Sequence, residues 1–187
     1  MYNAKLSKLY ENYKLSWKSA LNEGSVTEEL LDRLSCPLLL HVKDEAWGRS
    51  AGKILFVGQE TNDWAVRDES GYRLETLHDF LSDSGSIPSL QKLYEGFAFG
   101  ANYTRSPFWQ AFNAVKAAEV SSSVLWTNLF RFCFQRGSVR NGSGQEYKQI
   151  SELNFGILAE EIRILEPTAV IFVTGPYYDE EIKHSFP

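Results

Sequence analysis

At 187 residues, with 43% hydrophobic and 14% aromatic content, the chain can bury a sizeable core, and one domain spanning 1–187 is expected. No run approaches the roughly 20 apolar residues of a membrane span, and the N-terminal residues lack a signal peptide's apolar centre, so a soluble cytoplasmic protein is expected. A formal charge of −5 argues against a generic polyanion binder, since nonspecific nucleic-acid affinity rests on Lys and Arg neutralising phosphates.

From the N-terminus, Leu6, Leu9, Tyr10, Tyr13, Trp17 and Leu21 recur at helical spacing and predict an amphipathic helix closing before Gly24. Thr27 then stands as a cap ahead of Glu28 and Glu29, whose charges suit a helix N-terminus. The stretch "CPLLLHVKDEAWGRSAG" reads as a partly extended connector into the first strand. In "KILFVGQETNDW", residues 54–57 are short, apolar and not alternating, which suits a parallel strand buried on both faces. The polar run that follows Gly58 has two readings. Ligands of open α/β sheets bind at the carboxyl ends of such strands; Thr61, Asn62 or Asp63 also suits the cap of an ordinary strand-to-helix turn.

Leu74, Leu77 and Leu81 suggest a short helix, and "SGSIPSLQKLYEGFAFG" mixes turn chemistry with Leu90, Leu93 and Tyr94. Ser106 and Pro107 occupy the N-cap and first-turn positions of a further helix carrying Phe108, Phe112 and Val115. "VLWTNLF" is a second strand candidate. Beyond it Phe130, Phe132 and Phe134 alternate with Arg131, Cys133 and Gln135, which in an extended chain puts the rings on one face and Arg131 on the other. From Val120 to Gln145 there is no acidic residue, so Arg131, Arg136 and Arg140 form a basic island, read either as a solvated loop or as a local contact for DNA. "RGSVRNGSG" is a flexible loop, Leu158, Ile162 and Leu165 mark a helix ending before Pro167, and "AVIFVTG" is a third buried strand.

Alternating strands and helices predict an α/β fold with a parallel sheet covered on both faces. The strand ends in "VGQETN", "WTNLF" and "VTGPYY" would meet on one edge, where Glu60 and Asn128 face a common crevice. Cys36 and Cys133 are two distant cysteines, and His41, His78 and His184 are scattered. Neither a cysteine zinc site nor an iron–sulfur cluster can be assembled from two such cysteines, and buried reduced thiols are expected.

In order, "ILFVGQE", "FAF", "SPFW", "WTNLF" and "PTAVIFVTG" resemble the uracil-DNA glycosylase superfamily over about residues 50–178; the helices of residues 1–35 add little to the likeness. The resemblance implies a three-layer α/β/α sandwich around a central parallel sheet, and a pocket for a base flipped out of the stack. It implies that Glu60, following Gly58 and Gln59, occupies the position that activates or orients water. A carboxylate there polarises water and stabilises the cationic sugar that develops as the glycosidic bond breaks. It further implies that Phe99 of "FAF" stacks on the base and that Asn128 reads its edge, an amide offering both donor and acceptor. Thr61 stands where several members carry proline, and Glu60 is one methylene longer than the aspartate of others.

The family's second motif, a His-Pro-Ser-type loop after a further strand, has no counterpart. His184 lies nine positions after Gly175 (184 − 175), within a stretch that reads as a helix start. The chain is therefore read either as truncated before that loop or as an inactive relative. Two functions follow: a DNA glycosylase-like monomer that excises uracil or a related damaged base from DNA without metal or cofactor, or a noncatalytic module of the same fold that holds a base, nucleotide or protein partner. A third, weaker reading is an anion site at the Gly58 turn, for which a lone glycine is a poor signature.

Overall fold

Alternation along the strands decides how this chain folds, because successive side chains leave a strand on opposite faces. The structure, a computed structural model, describes residues 1–99 and 105–186, without the side chains of Ala98 and Phe99. In chain order the elements are α1 (Tyr2–Asn22), α2 (Glu28–Arg33), α3 (Asp44–Arg49), β1 (Gly52–Gly58), a small hairpin of β2 (Val66–Arg67) and β3 (Arg73–Leu74), α4 (Leu77–Ser82), α5 (Ser86–Phe99), α6 (Pro107–Ala118), β4 (Ser122–Asn128), α7 (Gly144–Asn154), α8 (Ile157–Leu165), β5 (Ala169–Phe172) and α9 (Asp179–Ser185). The main sheet has the order β4–β1–β5, with both pairings parallel.

Phe56 of β1 sits beside Trp126 of β4 in register, and both face a layer of aromatic rings from α5 and α6. Tyr94 stacks on Trp126 at 5.3 Å, Trp109 meets it edge-on at 5.1 Å, and Phe108 and Phe112 meet Phe56 at 5.3 and 5.7 Å. Such tilted ring pairs add to the burial energy of each ring. Thr127, one residue on, points to the other face, where Arg131 links it to Glu161 of α8, and Tyr10 of α1 donates to the same carboxylate. Helices therefore cover both faces of a parallel sheet, and the α/β expectation holds at that level. One buried cluster runs from Leu6 in α1 to Tyr178 beyond β5.

Local chemistry explains the helix boundaries. Thr27 and Ser106 accept from the backbone N–H groups of Leu30 and Trp109, as their positions predict. Two helices exceed the expectation: the turn-rich stretch after Gly85 is the 14-residue α5, and the supposed flexible loop ends at Ser143, which forms a capping box with Glu146 and starts α7. The connector before β1 contains the short α3.

Two strand expectations need correction. β5 is not buried: Ala169 is exposed and Val170, Ile171 and Phe172 are half-buried, because within the described residues this strand has a neighbour on one side only. Residues 129–134 do not form a strand with one exposed face; all six are buried. The segment threads through the interior, with Phe132 against Trp17, Phe134 under the guanidinium of Arg33, and Phe130 near Tyr147 and Tyr178.

Among the described residues no helix is long and apolar enough to cross a membrane. Cys36 and Cys133 are free thiols at 0% and 1% exposure, and burial pushes the Cys36 thiol far up, away from the reactive thiolate. Thiol reagents should therefore label neither cysteine in the folded protein, at rates at least about a hundredfold below those of the urea-unfolded chain, since labelling requires opening of the core. A titration with a chromogenic disulfide checks this; one fast equivalent before unfolding would place a cysteine at the surface.

Candidate functional site

Gly58 ends β1 directly beside Asn128, the last residue of β4. Both share the parity of Phe56 and Trp126 and so belong to the aromatic face of the sheet. A β-carbon at Gly58 would stand 2.5 Å from Asn128 Oδ1 and 2.7 Å from the Phe108 ring, so the missing side chain lets amide and ring approach the strand end. Asn128 is 6% exposed, with its Oδ1 at the Gly58 end of β1. Nearby, the indole N–H groups of Trp64 and Trp126 are buried with no hydrogen-bond partner among the described residues, which is unusual for a buried donor, and the two rings lie 5.9 Å apart.

The residues after Gly58 tie the sheet edge together. The carbonyls of Gly58 and Gln59 accept from Leu129 and Phe130 N–H at 2.8 Å, continuing the β1–β4 ladder past the strands. Gln59 is exposed, and its Nε2 donates to the Thr174 carbonyl at 2.7 Å, bridging to the loop after β5. Thr61 is buried, its hydroxyl 3.2 Å from that of Ser35.

Glu60 is half-buried and joins the same edge. Its Oε2 accepts from Val139 N–H at 2.9 Å and its Oε1 from the Tyr178 hydroxyl at 3.2 Å. Burial raises the Tyr178 phenol, and the Glu60 charge adds to that, so Tyr178 stays a donor. Each carboxylate oxygen has a second lone pair, so both retain an acceptor position for water. Glu60 and Asn128 thus share the carboxyl edge of the sheet, each with a different neighbourhood. Asn128 has Gly58 and Phe108; Glu60 has Val139 and Tyr178.

The arginines separate. Arg131 is 0% exposed, so the expectation that it contacts DNA is corrected: its NH1 donates to Thr127 Oγ1 at 2.7 Å and to the Asn128 carbonyl, and its NH2 pairs with Glu161 Oε2 at 2.5 Å. Burial pushes the Glu161 carboxyl up, while Arg131 and the Tyr10 hydroxyl pull it back. The reason lies in topology, since the chain turns inward after β4 and carries Arg131 onto α8. Arg140 is held by the Tyr177 carbonyl and Glu181 and lies over the Tyr147 and Tyr178 rings. Arg136 is 72% exposed beside Asp63 and is the member of the island that faces solvent most openly.

Phe99 is the last residue of α5, and its side chain lies outside the described residues. Phe108 is an aromatic that sequence reasoning did not assign to the site; its signal was the "SPFW" stretch, whose capped first turn sets the ring against Gly58. His184 lies in α9 with its ring 4.9 Å from Phe155. Among the described residues no group of three or more His, Cys, Asp or Glu could hold a metal ion. Comparison with protein-family models, curated proteins and solved structures finds no match to this chain.

Proposed function

We propose that the carboxyl edge of the sheet binds a nucleobase and that the protein is a uracil-DNA glycosylase-like hydrolase of uracil or a related damaged base in DNA. The observation that carries this reading is the Asn128 amide, 6% exposed, held against Gly58 beside the Phe108 ring. A donor and an acceptor fixed next to an aromatic edge suit the adjacent C=O and N–H of a pyrimidine. In this reading Glu60 orients the attacking water. As the bond from C1′ to the base nitrogen breaks, the bonding pair leaves with the base, the sugar becomes cationic, and water adds at C1′, its proton passing by way of the Glu60 carboxylate to the departed base.

A second reading has specific support. Both Glu60 oxygens already accept protein hydrogen bonds, which suits a residue that braces the loops of 139 and 178. This favours a noncatalytic module that holds a base, nucleotide or protein partner on the same fold.

Base release from single- and double-stranded DNA containing uracil separates the two. The hydrolase predicts release that Glu60→Gln lowers by about 10²- to 10⁴-fold with folding intact, while Asn128→Asp changes which base is accepted. Release unchanged in both variants would refute the residue assignments. No release, with uracil binding that Asn128→Asp weakens, identifies the module.

A further inference from the structure

Among the described residues Glu181 Oε2 is a buried atom with no hydrogen-bond partner, and Ser151 Oγ is buried with no neighbour in reach other than the Tyr147 hydroxyl. Both residues line one cavity of about 190 Å³ between α7 and α9. The second oxygen of Glu181 is fully used, accepting from the Tyr147 hydroxyl and from Arg140 NH1 at 3.3 Å. The carboxylate is therefore fixed, with its free oxygen out of solvent. A fixed, dehydrated acceptor that meets no donor goes uncompensated for its lost hydration, and it is the kind of group a ligand completes.

The remaining walls define what fits. Phe130 and Phe155 give the cavity apolar surface, and the His184 ring leans on Phe155 at 4.9 Å and 50°. Glu180 stands at the rim, mostly exposed and paired with Lys183 at 2.6 Å. An apolar cavity of about 150 Å³ accommodates benzene, so this one has room for a ring with a short arm. We propose that the cavity binds a small primary amine with an aromatic body, its ammonium donating to Glu181 Oε2 and Ser151 Oγ and its ring resting on Phe130 and Phe155. An ammonium carries three donors, enough for both acceptors, and its bond to the carboxylate is charge-assisted. An alcohol supplies one donor and no charge. This site is independent of the base-binding reading, since it uses none of Gly58, Glu60 and Asn128.

The test is titration of the full chain with benzylamine and, separately, benzyl alcohol, followed by calorimetry and by amide chemical shifts. Benzylamine should bind with shifts centred on residues 151, 155, 181 and 184, and benzyl alcohol should bind at least about tenfold more weakly. Glu181→Gln keeps the shape and should erase most of that preference. Ser151→Met fills the cavity while leaving the charge, and should abolish binding of both compounds. Absence of benzylamine binding to the folded protein, equal affinity for the two compounds, or binding that survives Ser151→Met would each overturn the proposal.

Discussion

Replacing Arg131 by leucine should cost about 3–5 kcal/mol of folding stability, the range for removing one partner of a buried ion pair. Arg131 and Glu161 are both 0% exposed, so the variant leaves a carboxylate in the interior with the Tyr10 hydroxyl as its remaining donor. The Thr127 hydroxyl and the Asn128 carbonyl also lose their guanidinium donor. Urea unfolding at pH 7 reads the loss, and a change below about 1 kcal/mol would mean the pair is solvated in solution.

The same variant carries a pH signature whose sign is fixed. Burial is the main cause raising the Glu161 carboxyl, and Arg131 is the main cause lowering it. The folded-state value already stands above the unfolded one, and without Arg131 it rises further. A raised carboxyl contributes stability below its unfolded pKa of about 4.3, and that contribution is lost as pH rises through the folded value. The deficit of Arg131→Leu should therefore shrink as pH falls from 7 toward 5. The double variant Arg131→Leu/Glu161→Leu should recover most of the stability, since an apolar pair of similar volume avoids the desolvation cost.

That pair also marks the limit of what sequence alone reveals. "RFCFQRGSVRNGSG" is basic by composition, and nothing in it names the carboxylate 30 residues away that takes up Arg131. Glu161 stands between Leu158 and Ile162 in a helix whose apolar pattern was legible, but a charged residue on the buried side reads as an interruption until its partner is known. The strands fared better, because 54–57 and the run before Asn128 declare themselves by β-branched and aromatic residues, and pairing put Gly58 beside Asn128. Helix α7 was legible in principle, as Ser143 followed three residues later by Glu146 is a capping box, but the surrounding Gly, Ser and Asn masked it. Glu60 was placed correctly at a strand end. Its partners Val139 and Tyr178 lie 79 and 118 residues away, and no local pattern encodes such contacts.

Gly58→Ala should destabilise the fold by about 1–3 kcal/mol, the usual cost of forcing an extra carbon into a packed region, and, if the proposed base site is right, abolish base binding. The new β-carbon would meet Asn128 Oδ1 at 2.5 Å and the Phe108 ring at 2.7 Å, closer than packed atoms allow. The amide can rotate away. The ring is more constrained, with Phe56 at 5.3 Å, Trp109 at 4.9 Å and Trp126 at 6.1 Å around it. Stability and recognition therefore respond to different neighbours. Adding Phe108→Leu to Gly58→Ala removes the ring edge and should return part of the lost stability, measurable as non-additivity in a double-mutant cycle. Base binding should stay lost, because the amide is still displaced. If the double variant regains uracil binding along with stability, Asn128 does not read the base and Gly58 serves packing alone. If Gly58→Ala binds uracil as the parent does, the pocket lies elsewhere on the sheet edge.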